Sequence, residues 1–176
     1  MLSTIMTIGL LVAYCVGKIY IDTLVVVALA DPNDDFHSAS LSFIKGLQRQ
    51  GISYVIGSPI MLEIAKIVQR RGISAVFTLF RTLDIYEIEL VELDPRRLLS
   101  LTDLYISQWP LGAKHRYDLL YYASATLLNC THLASWDKKH FNQRVERRVN
   151  QANLLAALTT FKVDDPIHIG KALGFG

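Results

Sequence analysis

Short apolar runs alternate along the chain with longer stretches of helical periodicity. Four runs predict strands: 19–27, 53–56, 85–93 and 132–135. The first is nearly continuously apolar, as is typical of a strand buried on both faces. Five segments carry helical spacing or helix-start signals and predict helices: 36–51, 59–71, 94–108, 114–129 and 138–158. This alternation is typical of an α/β fold with a central, mainly parallel sheet.

Four acidic residues interrupt these apolar stretches. Asp22 lies inside the first strand run or at its end, and Glu63 lies in the first turns of a helix. Asp118 opens a helix of almost entirely apolar or small residues, and Asp137 directly follows the last strand run. A buried carboxylate is costly unless it is paired or coordinates a cation. Since α/β sheets place ligands at the carboxyl ends of their strands, we expect the four acids to converge in one metal pocket.

Each acid also has an interpretation that needs no metal. Asp22 could cap a strand end, but its apolar neighbours on both sides favour a functional role. Glu63 and Asp118 would complement helix dipoles, and Asp137 would cap the next helix. The predicted supporting polar groups beside the acids are Thr23, Ser135 and Asn142. We interpret His115 and His140 as surface or phosphate-contacting residues, because oxygen-rich sites favour hard cations.

Composition indicates one globular domain. The chain has 176 residues, of which 51% are hydrophobic and 19% charged, which excludes a disordered tail and a basic protein that coats nucleic acid. The net charge is only +2, yet basic residues crowd the segments around Asp118 and Asp137. A basic rim around an acidic pocket would suit a polyanionic substrate, although the cluster at 144–148 is more simply a solvated helix face.

The N-terminal segment is unusual in its hydropathy. Residues 1–17 carry no charge, so a hydropathy window would mark a membrane helix, but no basic region precedes the segment and it continues directly into the first strand run. We interpret 1–17 as an apolar extension packed on the domain, or as residues upstream of the natural start, and 18–176 as the domain itself. Cys15 and Cys130 match no metal or disulfide pattern, which predicts free thiols in a reducing cytoplasm.

The four acids and their neighbours resemble a known family. Segments 20–23, 63–66, 116–120 and 133–142 together resemble the PIN domain, and within it the VapC-like toxins of type II toxin-antitoxin systems. The resemblance covers about residues 18–165. It implies a three-layer α/β/α fold in which Asp22, Glu63, Asp118 and Asp137 hold one or two Mg²⁺ or Mn²⁺ ions and hydrolyse RNA. One departure is Tyr122, where many relatives carry histidine.

The resemblance also implies partners. It implies a VapB-like antitoxin covering the acidic pocket, and a homodimer, with which exposed aromatics at Tyr86, Tyr105 and Trp109 would be compatible. The predicted RNA contacts are Lys114, Arg116, Lys138 and Lys139. Three alternatives stay open: a catalytically silent PIN-like module that binds RNA or protein, a nuclease directed at DNA, and a membrane-associated protein.

Overall fold

A five-stranded, entirely parallel sheet forms the centre of the computed structural model, which describes residues 17–108 and 116–175. The strands are β1 (Ile19–Ile21), β2 (Tyr54–Gly57), β3 (Glu89–Val91), β4 (His132–Ala134) and β5 (Lys162–Asp164). Their order across the sheet is β3-β2-β1-β4-β5. The predicted α/β class with a mainly parallel sheet is confirmed.

The parts of the chain that the structure describes contain eight α-helices. They are α1 (Thr23–Ala30), α2 (His37–Gln50), α3 (Ile60–Arg71), α4 (Ile73–Ile85), α5 (Pro95–Gln108), α6 (Arg116–Leu127), α7 (Gln143–Leu155) and α8 (Pro166–Ala172). All four pairs of neighbouring strands are parallel, so each connection between successive strands must cross back to the same end of the sheet, and helices lie within these connections.

Side chains of the central strand divide between two apolar layers. Ile19 and Ile21 point to one face, where residues of α1, α2, α3, α4 and α8 cover them. Tyr20 points to the other face, beneath α5, α6 and α7. This alternation follows from the two-residue period of a strand. Burial on both faces explains why the central strand β1 lies in a continuous apolar run. The layers are those of the expected α/β/α arrangement.

A buried polar network joins three helices beneath the sheet. The Tyr105 hydroxyl donates a hydrogen bond to Asn153 Oδ1 at 2.6 Å and lies 2.9 Å from the Thr126 hydroxyl. Only 2% of Tyr105 is exposed, which contradicts its prediction as a surface aromatic for a dimer. The network accounts for the difference, because it satisfies the one polar atom of an otherwise apolar side chain. Tyr86 is half-buried, and Trp109 lies outside the described residues.

Two predicted strands are shorter than expected. The run 19–27 divides at Asp22, after which Thr23–Ala30 forms α1. An uninterrupted apolar run is equally typical of a buried strand and of a buried helix, so its pattern alone did not separate them. In the run 85–93, Ile85 ends α4 and strand pairing begins at Glu89. Helix α7 begins at Gln143, five residues later than predicted.

The termini and one connection fall outside the structural description. Residues 1–16 and 109–115 are not described. All of the predicted extension except Gly17 therefore lies outside the described residues, and so does the predicted RNA contact Lys114. Among the helices of the described ranges, none has the length and apolar character needed to cross a bilayer.

Replacing Tyr105 with phenylalanine should destabilise the fold. The change leaves Asn153, which is fully buried, without its hydroxyl donor. We expect the free energy of unfolding to fall by about 1–3 kcal/mol. Urea denaturation would measure the loss, with Tyr86→Phe as a matched control on a half-buried ring outside the network. Equal stability of the two variants would contradict the role of this hydroxyl.

Candidate functional site

The four predicted acids line a single cleft of about 630 Å³. Asp22 and Asp137 follow the carboxyl ends of β1 and β4, which are neighbours in the sheet. Glu63 and Asp118 lie in the first turns of α3 and α6. The fold therefore brings the four side chains to one edge of the sheet, and their assignment to metal binding stays a prediction.

Asp22 is the most buried of these acids. It links β1 to α1, with extended backbone angles (φ −75°, ψ 153°), and its amide donates to the Ala134 carbonyl at 3.0 Å. The carboxylate makes no capping hydrogen bond to α1, although it occupies the N-cap position. It instead accepts a 2.6 Å hydrogen bond from the Ser135 hydroxyl, which confirms that this serine lies beside it. The side chain therefore faces the cleft and not the helix.

The electrostatic state of Asp22 depends on its burial and its charged neighbours. Within the described ranges, no lysine, arginine or histidine nitrogen lies within 4 Å of its carboxylate, and only 3% of the residue is exposed. Burial raises the pKa of Asp22 to about 7, the hydrogen bond from Ser135 opposes that rise, and repulsion from Glu63 and Asp137 adds to it. The site is thus electrostatically incomplete for an ionised Asp22.

Asp137 is held by the loop that follows β4. Its amide donates to the Ser135 hydroxyl at 3.0 Å, so one serine contacts both acids. Asp137 Oδ1 accepts hydrogen bonds from the amides of Lys139 and His140, and Oδ2 lies 2.7 Å from His140 Nδ1. Burial alone would raise the pKa of Asp137, but the hydrogen bonds from His140 lower it below its usual range. Asp137 thus caps a turn, and a second residue caps α7.

That second residue is Asn142. Its Oδ1 accepts hydrogen bonds from the amides of Arg144 and Val145, and its Nδ2 donates to the Lys139 carbonyl. These bonds fix the start of α7, and Asn142 does not line the cleft. The structure therefore places this predicted supporting residue in the loop that carries Asp137.

Two further anchors hold the same loop. Phe141 stacks on the Tyr122 ring with centroids 5.3 Å apart, and the Tyr122 hydroxyl donates to the His140 carbonyl at 3.2 Å. On the other side, Lys138 Nζ lies 2.8 Å from Oδ2 of the buried Asp165, the N-cap of α8. Tyr122 is the position at which the chain differs from many PIN-domain proteins. It thus supports the loop through these contacts and does not line the cleft.

Thr23 connects the floor of the cleft to α6. Its hydroxyl lies 3.0 Å from the Tyr121 hydroxyl in a buried contact, and both residues line the cleft beside Asp22. Tyr121 was not predicted as a site residue, and His140 was interpreted as a surface or phosphate-contacting residue. Tyr121 belongs to an almost uniformly apolar helix, so its pattern did not show which side chains face the cleft. His140 could have been predicted from its position three residues after Asp137.

The residues present fit a hard divalent cation. The candidate donors are carboxylate oxygens with a hydroxyl nearby, and one buried carboxylate lacks a positive partner. The described residues contain one group of three possible metal ligands within 4.8 Å of one another. It consists of Asp164, Asp165 and His168. Asp165 of that group already pairs with Lys138. No three of the cleft carboxylates, all of them described residues, approach one another that closely.

The predicted nucleic-acid contacts differ from the basic residues that the cleft contains. Arg116 pairs with Asp103 at 2.9 Å on the exposed surface, and Lys138 pairs with Asp165. Neither these two nor the exposed Lys139 lines the cleft. The basic residues that do line it lie on α3 and are Lys66, Arg70 and Arg71. Their spacing from Glu63 along one helix could have identified them from the sequence.

Comparison with known proteins gives a limited result. No family model and no curated protein sequence matches the chain. Among solved structures, a sarcin-ricin loop cleaving VapC toxin of Mycobacterium tuberculosis, VapC20, matches with 15% sequence identity and a TM-score of 0.45. The match covers 69% of this chain and 92% of the toxin. Likeness at this level does not transfer the toxin's activity to this chain.

The unfolding free energy of the metal-free protein should fall as pH rises from about 4 to about 7. Asp22 ionises near pH 7 when folded, against an ordinary value of 3.8, so in this window the folded protein retains a proton that the unfolded chain has lost. The loss approaches ~1.4 kcal/mol per pH unit.

Denaturation in EDTA at pH 5, 6, 7 and 8 would test this, with Asp22→Asn as the comparison. The asparagine has no ionising group, so the variant should lack the decline that Asp22 causes. Parallel profiles for the two proteins would show that the Asp22 pKa is not raised.

Proposed function

We propose that this protein is an endoribonuclease dependent on Mg²⁺ or Mn²⁺, with Asp22, Glu63, Asp118 and Asp137 as its metal-binding and catalytic acids. The observation that supports this most is the buried Asp22 carboxylate, which has no positive partner among the described residues and shares its cleft with three other acids. If Asp22 had only a structural role, its buried carboxylate would be expected to pair with a cation or to accept a set of capping hydrogen bonds. Among the described residues, Asp22 has hydrogen-bond donors but no cation and no N-cap hydrogen bond to α1, and its site fits an added cation.

The positions of the cleft residues suggest a separate role for each. Asp22, fixed by Ser135, and Asp137, fixed by its turn, form the rigid side of the site. Glu63 and Asp118 approach from helix starts across the cleft and complete the oxygen ligands. A bound divalent cation supplies positive charge against the phosphate and makes water a better nucleophile near neutral pH. His140 also lines the cleft, and its hydrogen bond to Asp137 would orient that carboxylate.

The biological assignment follows the family resemblance. We propose an RNA substrate, a VapB-like antitoxin that covers the acidic cleft, and a homodimer as the working form. In this assignment the protein is the toxin of a type II pair. A reducing cytoplasm agrees with Cys130, which is a buried free thiol.

Asp22→Asn should abolish metal-dependent RNA cleavage. The substitution keeps the shape of the side chain but removes its negative charge, and we expect the rate to fall by at least about 10²-fold. Labelled single-stranded RNA, incubated with Mg²⁺, Mn²⁺ or EDTA, would provide the measurement. Asp84→Asn is the matched control, because Asp84 is an exposed acid on α4 outside the cleft.

The outcomes separate the alternatives. Cleavage of labelled DNA in preference to RNA would favour a DNA-directed nuclease. RNA binding without cleavage under any metal would favour a catalytically silent module. Full activity of Asp22→Asn would reject the proposed site.

Millimolar Mg²⁺ or Mn²⁺ should raise the melting temperature of the wild type at pH 8. A cation that binds the folded site stabilises it by mass action, by about 2.7 kcal/mol at a hundredfold excess over the dissociation constant. Asp22→Asn should lose most of this shift and Asp84→Asn should keep it. Equal shifts in all three proteins would place the metal effect elsewhere.

A further inference from the structure

We propose that Lys66 and Arg70 of α3 bind consecutive backbone phosphates of single-stranded RNA on one side of the scissile bond. The two residues, with Glu63, form what we call the α3 stripe. This inference rests on the proposed ribonuclease function and adds to it the part of the cleft that positions the substrate. It also replaces the predicted contacts Arg116 and Lys138, which are engaged in ion pairs away from the cleft.

Helix geometry aligns the α3 stripe. Residues three and seven positions after Glu63 return to the same face of a helix, and the cleft lining includes all three side chains. With a rise of about 1.5 Å per residue, Lys66 lies ~4.5 Å and Arg70 ~10 Å further along the helix axis than Glu63. A strand whose reacting phosphate lies at the acids would thus meet one cation and then another as it follows α3.

Charge is segregated within the cleft. The four candidate catalytic acids follow strand ends or open helices, and the lysine and arginine side chains of the cleft follow Glu63 along α3 towards its C-terminal end. Asp31 is the remaining acid in the lining, and it lies 4.0 Å from Arg71 across an exposed pair. Arg70 has no carboxylate within 4 Å among the described residues, and its side chain is exposed. It is therefore available to a phosphate.

The surroundings of the α3 stripe suit unpaired bases. Leu24, Val27 and Ile67 give the cleft an apolar surface beside the cations, and 44% of Leu24 is exposed. At the rim, Tyr117 is 62% exposed, and Lys66 Nζ lies 5.1 Å from the centre of its ring. A positive groove with an exposed aromatic ring is the arrangement by which proteins bind single strands, because phosphates meet cations and bases stack. An acidic peptide would use the cations but not require the ring.

The test is steady-state cleavage of single-stranded RNA by the double variant Lys66→Gln/Arg70→Gln. We expect KM to rise by about tenfold at 0.1 M salt while kcat stays within about twofold, since the lost contacts bind substrate and reacting state alike. The salt dependence of log kcat/KM should become shallower by about 1.4, or ~0.7 for each contact removed. Lys45→Gln/Arg81→Gln, with both positions exposed and outside the cleft, is the matched control.

Substrate length gives a second measurement. Oligonucleotides extended on only the 5′ or only the 3′ side of one cleavage site should show that a single side improves KM for the wild type. The double variant should lose that improvement and keep its kcat on the short form. Tyr117→Ala should weaken binding of the same extended substrates without changing the salt slope, because a ring carries no charge.

Several outcomes would overturn the inference. If the wild type cleaves RNA and the double variant matches it in KM and salt slope, the α3 stripe does not hold RNA and the ribonuclease function stands. Suppose instead that the double variant cleaves RNA as well as the wild type does. If an oligoglutamate peptide then inhibits the wild type but not the variant, the α3 stripe binds a protein partner. If the wild type does not cleave RNA with either metal, the proposed function fails and the inference fails with it.

Discussion

The structure depends on how one buried carboxylate is held. Asp22 leaves the central strand where its own amide is bonded to the neighbouring strand, and its side chain is bonded to Ser135 at the end of that neighbour. Apolar layers enclose both strands, so the carboxylate cannot escape to water without disrupting the sheet edge. Its charge is balanced from the cleft, either by a proton or by a cation. The parallel sheet therefore creates this requirement at the point where helices α1, α3 and α6 begin.

The polar groups around this carboxylate form a chain of contacts that runs from the sheet to α6. Ser135 connects Asp22 to the Asp137 amide, Asp137 orders the turn to His140, and Phe141 stacks the end of that turn on α6. Each contact is local, yet together they join the centre of the sheet to the loop after β4. The two acids consequently differ in character: the pKa of Asp22 is raised by burial, and the pKa of Asp137 is lowered by hydrogen bonds. Such divergence within one cleft is typical of functional sites.

Much of this arrangement was predictable from the sequence because it depends on local signals. The positions of the four acids relative to apolar runs and helix starts were enough to place them at one edge of a parallel sheet. Helix α1 was not predictable from pattern, since its apolar run has no helical period. The basic residues that line the cleft were not predicted, for a different reason. Arg116 and Lys138 lie near acids in sequence, but tertiary partners, Asp103 and Asp165, determine where their charges point.

The contact between Lys138 and Asp165 joins the Asp137 loop to the elements that end the described chain. Asp165 follows β5 and caps α8, and both elements come after every candidate catalytic acid in sequence. A ribosome therefore completes the four acids before it supplies the anion that holds the loop between β4 and α7. During synthesis, the four acids therefore exist for some time without this contact. For a proposed ribonuclease, this order of assembly separates the synthesis of the acids from the completion of the loop that holds Asp137.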